Sequence, residues 1–364
     1  MSIQRLHTTP PESFTNPPLT PPLTDEKSRL SVLPILEEIK NRKAGNTSIS
    51  CWSEYTLERE GYKDLLQLLQ GDADKSLWGF VRHKLQYDYF PSTSRFILRM
   101  PTPIHESVIK SVIEELQHQL RFISRGDGQS AEFAKEVESD GSATIDFEEP
   151  QFGSHAPDGQ FRHSGANYPG IVLEVAYSQK AKDLPYLADE YILGSDGDIR
   201  AVIGINLDYK DTNKGTLSVW EPRIVRNIVG EDELVAAQVV ADQSFRDEKG
   251  IPNKFASIDL QLQHFATEAF AQTHGALKDP ISISTQMLCD FLDRAVKRAA
   301  VRQEKTGLSR HSKPWVRKRP RERTPDEKLE ERHEKRFRDH EERAEENMER
   351  DDSSYKAGSS FEAE

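Results

Sequence analysis

The stretch Ala156–Trp220 constrains the fold most, because apolar strand signals and acidic residues coincide there. Its centre is Gly170–Tyr177, GIVLEVAY, which is short, β-rich, bounded by Pro169-Gly170 and Ser178-Gln179-Lys180, and too brief for a buried helix. Side chains alternate faces along a strand, so Ile171, Leu173, Val175 and Tyr177 share one face while Val172, Glu174 and Ala176 share the other. Glu174 is then a carboxylate inside an apolar strand. Burying it alone is costly, so it must be paired, hydrogen-bonded, metal-bound or set at the open end of the sheet. The nearest companion upstream is Asp158, in the turn signature Pro157-Asp158-Gly159, followed by Gln160–His163, which can pair beside the Glu174 strand. Two carboxylates on adjacent strands suit a hard divalent cation, magnesium or manganese.

The flanking segments supply helices and further strands. Arg95–Met100 alternates Phe96, Leu98 and Met100 against Arg95, Ile97 and Arg99, as a strand does. A helix follows, with Thr102 as cap, Pro103 in its first turn, and Val108, Val112, Leu116 and Leu120 on one face. His105 reads as a cap or surface residue, and Glu106 as a helix N-terminal glutamate favoured by the dipole. Ser124–Ser142 reads as a loop interrupted by the short run Ala131–Val137, and Ala143–Phe147 as a strand leading to the Asp158 turn. Beyond Glu174, Asp183 and Pro185 open a helix with the stripe Leu184, Leu187, Ala188, Tyr191 and Ile192, ending at Gly194. Ile199–Leu207 and Thr216–Trp220 are strands joined by a turn at Asp211–Gly215, and Trp220 reads as packing rather than as a base-stacking platform. The order predicts an α/β (α+β) mixed sheet flanked by helices.

Pro157-Asp158, the apolar strand carrying Glu174, and Lys180-Ala181-Lys182-Asp183-Leu184 opening a helix resemble the PD-(D/E)XK nuclease superfamily, in particular its restriction endonuclease-like branch and similar fungal proteins. The resemblance spans roughly Arg99–Trp220. It implies a core of a helix, a three-stranded meander, a second helix and a further strand. It further implies that Asp158 and Glu174, joined by Glu106, hold magnesium or manganese that activates water for phosphodiester hydrolysis. The superfamily's lysine usually lies two residues after the acidic strand residue, where this chain has Ala176. Lys180 and Lys182 are the substitutes at hand, to orient the water or neutralise the phosphate.

Outside this stretch, composition bounds the answer. Hydrophobic residues make up 35% and charged residues 30%, too polar for a wholly folded chain of 364 residues, so part of it is expected to stay unfolded. Residues 1–48, with Pro10-Pro11, Pro17-Pro18 and Pro21-Pro22, read as a disordered tail of polyproline character. The nuclease-like core is expected over 49–275 with an N-terminal extension. In it Tyr62, Leu65, Leu66, Leu69, Trp78, Val81 and Leu85 suggest a helical hairpin between Cys51 and Phe90. Leu234–Val240 and Ser257–Leu262 are read as extending the sheet, and 276–303 as an amphipathic helix carrying Met287, Leu288, Phe291 and Ala295. Residues 304–364 form a charged tail, first basic and then mixed.

Charge and cysteines limit the function. Residues 301–364 hold 17 basic and 17 acidic side chains, so the formal charge of -12 resides in the first 300 residues and argues against nonspecific polyanion binding. Two cysteines, Cys51 and Cys289, make neither a disulfide framework nor a zinc pattern and suit a reducing, intracellular compartment. The N-terminus lacks a signal sequence and no apolar run would span a membrane. Arg310–Arg323, with seven basic residues against Glu322, would serve as a nuclear-import signal or a phosphate-contacting arm; without import the cytoplasm is expected. Two functions follow as expectations. One is a magnesium-dependent nuclease acting on DNA in preference to RNA; the other is a degenerate nuclease fold that binds nucleic acid or protein.

Overall fold

The computed structural model describes residues 24–45, 52–71, 75–149, 151–176, 181–208, 213–253 and 256–304. In chain order they form α1 (Thr24–Lys43), β1 (Trp52–Thr56), α2 (Arg59–Gly71), α3 (Lys75–Lys84), β2 (Gln86–Phe90), β3 (Arg95–Arg99), α4 (Pro103–Ile123), α5 (Gln129–Lys135), β4 (Val137–Ser139), β5 (Ile145–Asp146) and β6 (Ser154–His155). The second half holds β7 (Gly159–His163), β8 (Ile171–Ala176), α6 (Leu184–Gly194), β9 (Ala201–Leu207), β10 (Gly215–Arg226), β11 (Asp232–Arg246), β12 (Ser257–Gln261), α7 (Glu268–Thr273), β13 (Pro280–Ser284) and α8 (Thr285–Glu304).

The largest sheet has the order β11-β10-β9-β8-β7-β4. Strand β8 lies inside it, antiparallel to β7 and parallel to β9, as its apolar run on both faces requires. Ile171, Leu173 and Val175 enter one core, shared with Val108, Val112, Leu116 and Leu120 of α4 and Leu288 and Leu292 of α8. Val172 and Ala176 enter the other, beneath Leu184, Leu187, Ala188 and Tyr191 of α6. The sheet is thus covered on both faces. Helix α4 starts as its sequence dictates: the Thr102 side chain accepts from the His105 N–H at 3.3 Å, and Pro103 occupies the first turn. Each large apolar side chain buried from its stripe contributes about 1.5–3 kcal/mol. Trp220 packs in the α6 core, and Gly204 makes room for its ring, because a Cβ there would come within 3.0 Å of it.

A second sheet, β1-β3-β2-β6-β5, carries α1–α3 through a separate core built on Val32, Ile35, Ile39, Leu65, Leu69, Tyr89, Phe96 and Leu98. Strand β3 faces both ways, with Phe96 and Leu98 in this core and Ile97 in the α6 core. Among the described residues no helix is long and apolar enough to cross a membrane.

Several sequence expectations are corrected. Residues 24–43 are helical rather than part of a tail, because Val32, Ile35 and Ile39 recur at helical spacing amid the polar and proline residues and are fully buried. The segment between Cys51 and Phe90 has the expected helices, α2 and α3, but also the strands β1 and β2 at its ends. The first strand of the meander is β4, from the run placed in a loop, whereas Ile145-Asp146 of the expected strand pairs in the second sheet. Strand β11 extends the large sheet, but β12 pairs with β13 in a separate two-stranded sheet, and the residues of β13 were read as the start of a helix. Residues 1–23 and the tail from 305 onward, with its basic run, lie outside the described residues.

Candidate functional site

Asp158 precedes β7 and is fully buried at its side chain. The turn that carries it is pressed against α4, where a Cβ at Gly159 would lie 2.9 Å from Ile113. Three donors converge on its carboxylate. Arg99, from the end of β3, donates through Nη1 to Oδ1 at 3.1 Å. The backbone N–H of Val175 donates to Oδ2 at 2.7 Å. His105 Nε2 lies 2.9 Å from Oδ2 and 3.0 Å from the carbonyl oxygen of Val175; both are acceptors, so Nε2 carries the hydrogen. Asp158 thereby ties β3, α4 and β8 together.

Arg99 is buried and shared. Its Nε lies 2.7 Å from Asp88 Oδ2, Nη2 donates to Asp88 Oδ1 at 3.1 Å, and Nη2 also meets the Ala156 carbonyl. Burial opposes its charge, but the carboxylates of Asp88, Asp158 and Glu174 more than offset this and hold its pKa above the ordinary arginine value. Glu174 is 0% exposed and accepts from the Tyr191 hydroxyl at 2.7 Å, a donor supplied by α6. Burial and the Glu174 charge together push the Tyr191 phenol well above its usual range. Of the four fates expected for a carboxylate in this strand, Glu174 is hydrogen-bonded, in the field of the Arg99 cation.

Behind Asp88 a second set of charges continues the network. His155 is fully buried, with Nδ1 3.4 Å from Asp88 Oδ1 and Nε2 3.4 Å from Glu190 Oε2. Burial disfavours imidazolium, yet the contacts with Asp88 and Glu190 raise the His155 pKa above its ordinary value. Glu190 also accepts from the Gly153 N–H at 3.0 Å. Asp158, Arg99, Asp88, His155 and Glu190 are thus linked by successive polar contacts.

The donor set can be tested against a divalent cation. Magnesium requires near-octahedral oxygen ligation, usually with several waters. Both Asp158 oxygens and both Asp88 oxygens already accept from or pair with other groups, one Glu174 oxygen is bonded to Tyr191, and the charge among the three is a guanidinium. Among the described residues no group of three His, Cys, Asp or Glu side chains could hold a metal ion. These residues, arranged as they are, do not fit the expected magnesium or manganese.

The other candidates are dispersed. Glu106 is exposed and lines a surface groove with Lys110, Arg298 and Arg302, while its neighbour His105 is the residue on Asp158. Lys182, on the short turn before α6, lines a cavity of about 600 Å³ with Arg95, Asp183, Tyr186, Asp189 and Glu190, and its charge bears on Glu54. Asp183 is engaged by Arg95 at 3.1 Å rather than capping α6 with its side chain. Lys180 lies outside the described residues. Arg99, Asp88 and His155 were missed. The signal that singled out Glu174 was present for two of them: Asp88 is a lone charge in the aromatic strand QYDYF, and Arg99 ends the apolar strand RFILR. A comparison with family models and with curated proteins finds no match to this chain.

Proposed function

We propose that this chain is a nuclease-like domain that does not hydrolyse nucleic acid but binds it, its acidic centre closed by an arginine instead of occupied by a metal. The observation that carries the reading is Arg99, whose guanidinium is paired with Asp88 and Asp158 and lies in the field of Glu174. A fixed positive group in that position gives the carboxylates the charge a cation would supply, and with it no water to activate. Ala176, buried where the resembled superfamily usually has its lysine, supports the same reading.

What supports the nuclease-like ancestry is element order: helix α4, the meander β4-β7-β8, helix α6, then β9 parallel to β8, with Asp158 and Glu174 on the second and third meander strands or their edges. Nucleic acid is preferred as the ligand because the second half of α8 bears Arg294, Lys297, Arg298 and Arg302 without an acidic residue between them.

The test is a panel of linear, circular and single-stranded DNA and RNA, incubated with the full chain and magnesium or manganese. Alongside it, binding is measured in the metal's presence and in chelator. No cleavage and equal binding under both conditions are expected. Cleavage by the wild type that disappears in both Asp158→Ala and Glu174→Ala would overturn the proposal in favour of a hydrolase.

A further inference from the structure

A cluster of positive charge lies away from the acidic centre, between the start of α4 and the end of α8. Pro101, Pro103, Ala295 and Ala299 form an apolar floor, and Lys110, Arg298 and Arg302 stand around a groove of about 440 Å³. Arg298 and Arg302 form no ion pair among the described residues; Lys110 is 3.7 Å from Glu114, an exposed pair that is weakly bound. Glu106 is the one acidic side chain lining the groove.

The arrangement follows from packing. Ala295 is 1% exposed against α4, and the small Ala295 and Ala299 let the helices approach, which leaves the long side chains one turn apart at the rim. Arg298 and Arg302 are separated by about 6 Å along the helix axis, at 1.5 Å per residue, so each planar fork can take a separate anionic group of one extended ligand. In a chain of net charge -12, such a local site is where a polyanion meets attraction instead of the general repulsion. The same polarity resumes in sequence at Arg310–Arg323.

We infer that this α4–α8 groove is a phosphodiester-backbone site, the place where the binding module proposed above takes hold of a nucleic-acid strand. The inference rests on that reading for the class of ligand, and on the groove for its position. Contacts to phosphates carry no sequence information, so binding here is expected to be salt-dependent and indifferent to base sequence.

The experiment uses the full chain and 5′-labelled 20-nucleotide single strands and duplexes of DNA and RNA, read by fluorescence anisotropy between 50 and 200 mM salt in chelator. Arg298→Ala with Arg302→Ala is compared with Arg319→Ala with Arg321→Ala in the basic run. Both α8 arginines are exposed, so the melting temperature should be unchanged. The α8 pair is expected to weaken binding at least tenfold and to lower the slope of log K against log salt by about 1.4–1.8, the loss of two phosphate contacts. Photo-crosslinking with 4-thiothymidine strands should label peptides containing 101–110 and 295–302.

Wild-type binding that is unaffected by the α8 pair and crosslinks only elsewhere would overturn the groove and leave the binding module standing. Absence of binding to every strand would overturn both, whatever the cleavage panel gives. Binding of a labelled polyglutamate peptide, with no nucleic acid bound, would replace the ligand by an acidic protein segment and overturn the phosphodiester assignment.

Discussion

Replacing Arg99 by methionine keeps most of the side-chain volume and removes the charge. The buried carboxylates of Asp88 and Asp158 then lose their shared partner, and Glu174 loses the cation beside it. Removing one partner of a buried pair costs about 3–5 kcal/mol, because the remaining charge stays uncompensated. Against a total stability of about 5–15 kcal/mol this is a large share, and at roughly 2–4 °C per kcal/mol it lowers Tm by roughly 6–20 °C. Arg99→Met is therefore assayed by urea and thermal unfolding at pH 7, beside Arg99→Lys, Asp88→Asn and the double variant Asp88→Asn with Arg99→Met. The lysine variant keeps the charge but not the fork and should lose less. The double variant removes one of the stranded carboxylates and should recover part of the loss, the signature of a coupled pair in a double-mutant cycle. Should Arg99→Met fail to fold, Arg99→Lys, Asp88→Asn and the double variant carry the comparison. A loss under about 1 kcal/mol in Arg99→Met, or a double variant less stable than the sum of its singles, would refute the view of Arg99 as the charge that holds the centre.

Other outcomes follow from the same geometry. His155 has a raised pKa in the folded chain, so its contribution is fully present below its unfolded value of about 6.5 and is lost as pH rises through the folded value; over that range the wild type should lose stability relative to His155→Asn. Identical pH profiles for the two proteins would remove His155 from the network. Tyr191→Phe deletes the hydroxyl that donates to buried Glu174 and should cost about 1–3 kcal/mol in urea unfolding; a loss within experimental error would mean that Glu174 has another donor waiting. Cys289 is buried, and burial pushes its thiol up to about 11, so in a Cys51→Ser background thiol reagents at pH 8 should label it only on unfolding. Rapid stoichiometric labelling of the folded chain would contradict that burial.

The elements that could be read from sequence are those long enough for a periodic run of buried residues to show. Strand β8 alternates Ile171, Leu173 and Val175 against Val172 and Ala176, and the two sets do enter different cores. Helix α4 has both its cap and its stripe where Thr102 and Val108, Val112, Leu116 and Leu120 put them. Helix α1 was hidden because prolines and charged residues dominate its surroundings, while only Val32, Ile35 and Ile39 report the buried face. Strands β5 and β6 are two residues long, too short for any pattern, and only pairing across the second sheet defines them. The site was half legible. Asp158 and Glu174 were identified as needing partners, but a sequence does not say which cation comes, and the one that arrives here is separated from Asp158 by 59 positions along the chain. Trp220 behaved as packing, in keeping with its place in the α6 core.

Arg99 closes the last position of β3 in one sheet, while Asp158 stands at the start of β7 in the other. The guanidinium is consequently a rivet as well as a counter-ion: it crosses the seam between two sheets that have separate strand orders and share no ladder. Discarding the arginine would loosen the joint between the two sheets in the same step as it strands the carboxylates. Cohesion and charge balance rest here on one side chain.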